Sequence, residues 1–576
     1  MKSFNGEKNT MHNITFLPTN ITAAVEGGTI LEAAIAAGLR LDAPCGGRGK
    51  CGKCKVRANS ETVLACQTLI DGDLTVDLSE AAGHRILMGG LSREVAADPA
   101  VKSVIVDVLK PSTSDLRDCY TRLLAALAEK EVEISLVYPE VLQKLYATLE
   151  ANSYTVEVLY YQNELIAIRK PGEPLYGAAF DIGTTTIAAY LIDLYTGAEL
   201  ASASMLNPQT TYGADVIMRT KYSVEHGVGE LTRLIRSALN DLTQECLTHV
   251  LGDASNLALV TVVGNTCMHH LFAGINPEPL AYAPYTAAIT EALTLNAREF
   301  GFSGVLPGAK LFLFPNIAGF VGADTVGAAL AAEMDEAEEI TLLIDIGTNG
   351  EMVLGDKTRL VTCSTAAGPA FEGAAISCGM RGAEGAIDHV TLEVSDPLKP
   401  AVKISLSVIG GESTPAKGVC GSGLIDAVSE FVRTGIVDES GKFSFGGSEF
   451  SLSPGVTITQ KDIREIQLAK GAMAAGIEMM CAKLGISDGD IRRVLIAGAF
   501  GSYMRPESAC GIGLIPKQLL PVVSAIGNAA GQGAKLAAIS IAEFTRAAGL
   551  AKKMEYLELA ADPAFNDIFV DHLSFE

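Results

Sequence analysis

Apolar and polar positions between His12 and Leu78 follow two rhythms. HNITFLP (12–18) and ITAAV (21–25) alternate or run β-rich, Gly27-Gly28 interrupts them, and TILEAAIAAG predicts a helix closing at Gly38. After a Gly- and Cys-rich stretch, TVLACQ (62–67) and DLTVDL (73–78) predict two more strands separated by the turn Asp71-Gly72. These elements make one small α+β unit. From Ala81 to Pro111 the pattern weakens under Gly83, Gly89, Gly90, Pro99 and Pro111, as expected of a linker. Residues 112–170 then carry two amphipathic helical segments, SDLRDCYTRLLAALAEK and PEVLQKLYATLEAN, and two strand-like ones, YTVEVLYY and LIAIRK.

Beyond PGEPLYG (171–177) the chain repeats a grammar of strand, Gly-rich turn and helix, typical of α/β proteins. This block contains a weak internal duplication, AFDIGTTTIAAYLID (179–193) against LIDIGTNGEMVLGD (343–356), so two halves of related build are expected. The organisation expected is multidomain α/β with four segments, 1–84, a linker at 85–108, a small α/β domain at 109–172, and a large domain at 173–576. A length of 576 residues fits that division, since one core rarely serves more than about 250–300 residues.

Charge and composition narrow the functions. A net charge of −23 argues against binding nucleic acid or anionic lipid, both of which need a basic surface. The most apolar stretch, Val522–Phe544, is punctuated by Gly527, Asn528, Gln532 and Lys535 and predicts a buried helix region, not a membrane span. The opening MKSFNGEKNTMHNITF has no apolar core followed by a cleavage site, so a cytoplasmic protein is expected. Of 12 cysteines, four crowd into residues 45–66, while the scattered remainder are expected to be buried small hydrophobes.

The crowded four, Cys45, Cys51, Cys54 and Cys66, have the spacing C-x5-C-x2-C-x11-C within PCGGRGKCGKC and LAC. A 2Fe-2S cluster takes four thiolates, three here from one loop that Gly46, Gly47, Gly49 and Gly52 let wrap tightly. Zinc also accepts four cysteines, but its sites usually pair two C-x2-C units, whereas here the fourth ligand is single. With its surrounding strands and helix the loop resembles plant-type and adrenodoxin-type ferredoxins, which implies a β-grasp fold. The first interval is one residue longer than the plant-type C-x4-C and closer to the adrenodoxin type.

DIGTTT (181–186) and DIGTNGE (345–351) each follow an apolar strand and supply a tight turn rich in N–H groups and hydroxyls, a construction suited to phosphates. The expected nucleotide contacts are Gly183, Thr184, Thr185 and Thr186 in the first, and Gly347, Thr348, Asn349 and Gly350 in the second. Asp181 and Asp345, at the strand ends, are placed to hold Mg2+ directly or through water. VLIAGAFGS (494–502) repeats the strand and turn, with Gly498, Ala499, Phe500 and Gly501 expected against a purine. Asp324 and Glu351 are the candidates for orienting an attacking water. The order resembles the phosphate-1, phosphate-2 and adenosine motifs of the acetate kinase, sugar kinase, Hsp70 and actin superfamily, which implies an ATPase of two lobes.

No P-loop and no strand-linked G-x-G-x-x-G with a distal acid accompanies these motifs, so electrons are expected from another protein. His269 and His270, adjacent in VGNTCMHHLFAG, are expected to be buried and not metal ligands, since neighbours on a helix face different ways. NPQTTYGADVIMR (207–219), FPNIAGFVGADT (314–325), AAGPAFEG (366–373) and VCGSGLIDA (419–427) are candidate cleft loops, with plain helix caps as the alternative.

A ferredoxin unit joined to such an ATPase, together with GNTCMHH, NPQTTYGAD, PAFEG, CGSGLID and AGAFGS, closely resembles the reductive activators of corrinoid proteins, along essentially the whole chain. The resemblance implies ATP-dependent reduction of an inactive Co(II) corrinoid protein to Co(I), with a 2Fe-2S cluster, ATP and Mg2+ as cofactors. It implies as partners an external low-potential donor and a corrinoid iron-sulfur protein or a methyltransferase or O-demethylase corrinoid subunit; a homodimer is expected. The competing readings are a small-molecule kinase with a ferredoxin module, a dehydratase activator, and a nucleotide-gated chaperone for cobalt proteins.

Overall fold

The computed structural model describes residues 11–17, 21–37, 39, 54–59, 61–77, 93–368, 370–371, 373, 375–394, 402–411, 413–498 and 503–575. The N-terminal unit is a five-stranded sheet in the order Ile21–Val25, His12–Leu17, Leu74–Asp77, Lys55–Ala58, Glu61–Leu64. Its centre is a parallel pair, His12–Leu17 against Leu74–Asp77, flanked on both sides by antiparallel neighbours, as in a β-grasp. The helix Ile30–Ala36 begins with a reciprocal cap, in which the Thr29 amide donates to Glu32 and the Glu32 amide to the Thr29 hydroxyl. Ile14, Phe16, Ile30, Leu31, Val56 and Val76 form the core beneath it. The strand Lys55–Ala58 was not expected. Four residues are too few to establish a period, although Val56 and Ala58 do face inward and Lys55 and Arg57 outward.

A second, four-stranded sheet runs Lys102–Asp107, Thr155–Tyr161, Glu164–Arg169, Leu136–Val137, with the helices Cys119–Ala128 and Pro139–Ala151 packed on it. Lys102–Asp107 falls in the segment read as linker, yet it pairs antiparallel with Thr155–Tyr161 over six residues. It is an edge strand with little buried surface, so its apolar signal is weak in sequence. The module is held to the domain that follows by Lys310 on Glu164 (2.6 Å), Arg298 on Glu140 (2.9 Å), and a Glu157–Arg169–Tyr195 network.

The large domain has two six-stranded sheets of the same build. In the first, Tyr176–Ile182, Thr186–Asp193 and Glu199–Leu206 form an antiparallel meander, and Leu257–Gly264 pairs parallel to its first strand. In the second, Thr341–Ile346, Gly350–Gly355 and Leu360–Thr365 do the same, with Arg493–Ala497 as the parallel partner. The duplication glimpsed in sequence is therefore one of topology. The larger apolar core takes in the first sheet and one face of the second, through Leu343, Val353, Leu360 and Leu495, and a separate core lies on the second sheet's other face, under Leu342, Ile344 and Met352.

One excursion ties the lobes together. Strand Val523–Gly527 of the second sheet leads into helix Ala529–Ile539, which packs against helix Ala323–Ala331 and the first lobe's strands. Helix Ile541–Lys553 then returns the chain to the second sheet at Met554–Tyr556. Where the two packed helices meet, a Cβ on Gly533 would lie 2.1 Å from the Gly327 carbonyl oxygen. Backbone touches backbone there. Among the described residues no helix is long and apolar enough to cross a membrane.

Gly533→Ala is expected to destabilise the protein by about 1–3 kcal/mol through overpacking at this crossing. Gly549→Ala, in the Ile541–Lys553 helix with nothing within 4 Å of its added methyl, should instead stabilise by about 0.5–1 kcal/mol. Denaturant melts of the two variants check both signs.

Candidate functional site

The two duplicated hairpins point their turns at one another across a cavity of about 280 Å³. Asp181 and Asp345 each occupy the penultimate position of their strand, so the chain turns immediately after the carboxylate. Gly183 and Thr184 to Thr186 line the cavity from one side, and Gly347, Thr348 and Asn349 from the other. Register distinguishes the halves. Asp181 faces Ala188 across its hairpin, whereas Asp345 faces Glu351, which adds a carboxylate found only in the second lobe. Asp324 enters from the first turn of helix Ala323–Ala331, and Asp388, in strand Ala386–Val394, lines the cavity as a fifth carboxylate.

Burial dominates their electrostatics. Asp181 is pushed up to about 7 by burial and by the neighbouring Asp324, and Asp345 also to about 7 by burial and by both other aspartates. Asp324 rises to about 6 by burial, restrained by the Thr325 amide. Glu351 is driven well above its ordinary value by burial, with Asp324 and Asp345 adding to it. Four acids in one field titrate as a set. No three His, Cys, Asp or Glu side chains among the described residues stand close enough to share one ion directly. Asp181 and Asp345 are the residues that could hold a hydrated Mg2+, an ion that keeps several waters and takes one or two carboxylates.

Gly498 borders the same cavity in a left-handed conformation (φ +88°), where a Cβ would meet Asp345 Oδ1 at 2.6 Å. Ala499, Phe500 and Gly501 lie outside the described residues. Gly350 does not line the cavity. It sits within a strand, and a Cβ there would strike Met473, so its small size serves packing against helix Gln460–Leu484.

The first phosphate turn has a polar backing that the sequence reading did not assign. Asn207 donates to the Gly183 carbonyl (2.9 Å), and the fully buried Arg219 donates to the Thr184 carbonyl and to the Gly213 carbonyl (3.0 Å). Asn265 donates to the Thr184 hydroxyl (2.9 Å) while its own oxygen caps the helix Thr266–Ala273. Asn528, capping Ala529–Ile539, reaches Asp181 and Tyr190. NPQTTYGADVIMR and GNTCMHH thus stand behind or beside the turn; their unusual polar content was the available signal. His269 and His270 are both buried, the former held down to about 3 by burial, and His270 Nε2 accepts the Ala288 amide at 2.9 Å. Phe371 and Cys420 to Ser422, from two other candidate loops, line the cavity.

In the N-terminal unit, Cys54 Sγ and Cys66 Sγ lie 3.2 Å apart with no disulfide between them, Cys54 nearly fully buried and Cys66 partly so. Two soft donors so placed fit adjacent ligands of one cluster. Cys45 and Cys51 lie outside the described residues.

Family models match along the chain in order: the 2Fe-2S iron-sulfur cluster binding domain at 14–79, the RACo linker region at 90–173, the RACo middle region at 176–337, and the C-terminal domain of RACo, the ASKHA domain, at 339–576. The corrinoid activation enzyme RamQ of Eubacterium limosum is 32% identical over 593 residues, covering 93% of this chain and 94% of that one. The chain belongs to the reductive activators of corrinoid proteins. A solved reductive activator for a corrinoid, iron-sulfur protein superposes with a TM-score of 0.75 and 32% identity over 98% of both chains. The Co(II) methylated amine-specific corrinoid protein reductase of Methanosarcina barkeri is 27% identical over 430 residues, 70% of this chain and 77% of that one. In the terms of this family of activators, the linker region takes in the four-stranded module, and the middle region is the first ATPase lobe.

The raised carboxylates fix a pH dependence. A folded-state pKa above the unfolded value favours folding at low pH and loses that contribution as pH rises through about 7. The nucleotide-free protein should therefore melt at higher temperature at pH 6 than at pH 8. Mg-nucleotide affinity should move the other way, falling about tenfold per pH unit below 7. Calorimetry across pH 5.5–8 checks both trends, and Asp345→Asn should flatten them.

Proposed function

We propose that this chain reduces the Co(II) of a corrinoid protein to Co(I), driven by ATP hydrolysis in the carboxylate-lined cleft, acting in the cytoplasm as a homodimer supplied by an external low-potential donor. The observation that carries this reading is the union, in one chain, of a paired-thiol ferredoxin unit with a two-lobed cleft that gathers five acids and two phosphate turns. A small-molecule kinase would need the cleft alone, and a simple electron carrier only the thiols.

In this reading Asp181 and Asp345 hold a hydrated Mg2+ between the lobes. Thr184 to Thr186, Thr348 and Asn349 grip the phosphates with hydroxyls and amides. Asn207, Arg219 and Asn265 keep the first turn in shape through the bonds described above. Glu351, oriented by the Ser364 hydroxyl at 3.2 Å, takes a proton from the attacking water, a role for which its raised affinity for protons is suited. Asp324, the other candidate for orienting that water, adds its negative charge to the same field from the helix end. Gly498 leaves the open approach that an adenosine requires. Cys45, Cys51, Cys54 and Cys66 hold the 2Fe-2S cluster, which supplies a one-electron carrier near −400 mV when bound.

Two substitutions separate the halves of the machine. Cys54→Ala should abolish Co(I) formation yet leave nucleotide binding intact. Asp345→Ala should keep the cluster's visible spectrum and its reduction by dithionite but lower ATP hydrolysis by about 100-fold or more. Co(I) formation at the normal rate by Cys54→Ala, or undiminished ATP turnover by Asp345→Ala, would refute the assignment.

A further inference from the structure

Two helices that begin in the nucleotide cavity end at one cluster of charges. Helix Ala323–Ala331 carries Asp324 in its first turn, and helix Ala529–Ile539 is capped by Asn528, with Ala530 also lining the cavity. At their far ends, about 13–18 Å away at 1.5 Å per residue, stand Glu333 and the break at Ser540, after which helix Ile541–Lys553 opens with Glu543. Between the ends the helices touch through Gly327 and Gly533 with no side chain to cushion them.

The residue that bridges the far ends belongs to neither helix. Arg93 donates to Glu333 Oε1 at 3.1 Å and to Glu543, with its side chain 15% exposed and that of Glu543 12%. Arg546 braces the same cluster with a two-pronged bond to Asp335 (2.9 and 2.7 Å) and a contact with Glu336 at 3.1 Å. Glu333 is held in a left-handed conformation (φ 53°), uncommon for a side-chain-bearing residue, just past the helix end. Five residues after Arg93, the Asp98 amide donates to the Ile539 carbonyl (2.9 Å) and the Ile541 amide to the Asp98 carbonyl (3.0 Å), a single bridge laid across the junction at Ser540. Upstream, Asp77 ends the last strand of the cluster-bearing unit only 93 − 77 = 16 positions before Arg93.

We propose that Arg93 is a positioning residue for electron delivery. Through Glu333 and Glu543 it senses how the two helices sit against each other, and the strap 93–101 converts that into the point and direction from which the cluster-bearing unit leaves the ATPase body. The inference rests on the ATP-coupled reading above and adds the route by which the cleft acts on the electron carrier. A plain anchor could have been an apolar contact anywhere on either lobe. This one joins the residue just past the end of helix Ala323–Ala331 to the first turn of the helix that follows Ala529–Ile539, and it is ionic, so a small shift of either carboxylate changes its strength.

The test uses the full chain in three variants: Arg93→Met, which keeps the stem and removes the charge, Arg93→Lys, and Glu543→Gln, which opens the clasp from the helix side. Amide hydrogen exchange at Asp98 and Ile541 is read with Mg-ADP and with Mg plus a non-hydrolysable ATP analogue, without any corrinoid protein. The wild-type rates at these two amides should differ by about tenfold between nucleotides, and the difference should vanish in Arg93→Met and Glu543→Gln and be partly retained in Arg93→Lys. In parallel, Co(I) formed per ATP hydrolysed should fall by about tenfold in Arg93→Met, with partner-free ATP hydrolysis changed by less than about twofold. Identical exchange in both nucleotide states of the wild type, or an unchanged Co(I) yield per ATP in Arg93→Met, would overturn the proposal. If the wild type makes Co(I) equally well without ATP, the ATP-coupled reading fails, while the exchange measurement still decides whether the clasp follows the nucleotide.

Discussion

Five carboxylates, Asp181, Asp324, Asp345, Glu351 and Asp388, line one cavity, and Arg381 is the only Lys or Arg lining it among the described residues. Negative charge gathered out of water is costly unless a cation meets it or a proton neutralises it. Every other feature of the site answers that constraint. The duplicated hairpins bring Asp181 and Asp345 to the two rims, the first turn is stiffened from behind by Asn207 and Arg219, and Gly498 concedes space to Asp345. A cation or a proton brought to these carboxylates is therefore favoured, and binding of a cationic ligand is linked to their protonation.

The energetic reason for joining such a cleft to a ferredoxin unit is simple. For a cobalt acceptor about 200 mV below a carrier near −400 mV, one electron moves uphill by about 4.6 kcal/mol, at 59 mV per tenfold. Mass action by donor does not comfortably supply that. A protein that binds one form of its partner more tightly in one nucleotide state shifts the equilibrium by the difference in affinity, and in no other way. The helix pair crossing at Gly327 and Gly533 lies between the cleft and the linker, where such a difference in state can be handed on.

How much of this was legible in sequence depended on whether the signal was local. The two D-x-G-T turns and the cysteine spacing were readable because backbone geometry and thiolate count demand particular residues at short intervals. The β-grasp was implied by the resemblance of the cysteine loop and its neighbouring elements to ferredoxins, and the repeated lobes by the duplicated DIGT segments. Lys55–Ala58 and Lys102–Asp107 were too short or too lightly buried to show a period. Gly350 looked like a turn glycine and proved to be a packing glycine, because only the three-dimensional neighbour Met473 reveals why nothing larger fits. Asn207, Arg219 and Asn265 act on the first turn across separations of 24, 35 and 81 residues, and no local rule connects them. Arg93 meets Glu333 and Glu543 across 240 and 450 residues and was hidden for the same reason.

The central claim is that nucleotide in this cleft makes an unfavourable reduction of cobalt proceed. It is tested most directly by mixing the protein with a Co(II) corrinoid protein and a low-potential electron donor under anaerobic conditions and following the Co(I) absorption band with and without Mg-ATP. The account predicts that Co(I) accumulates only when Mg-ATP is present. Equal Co(I) yields in its presence and absence would contradict it.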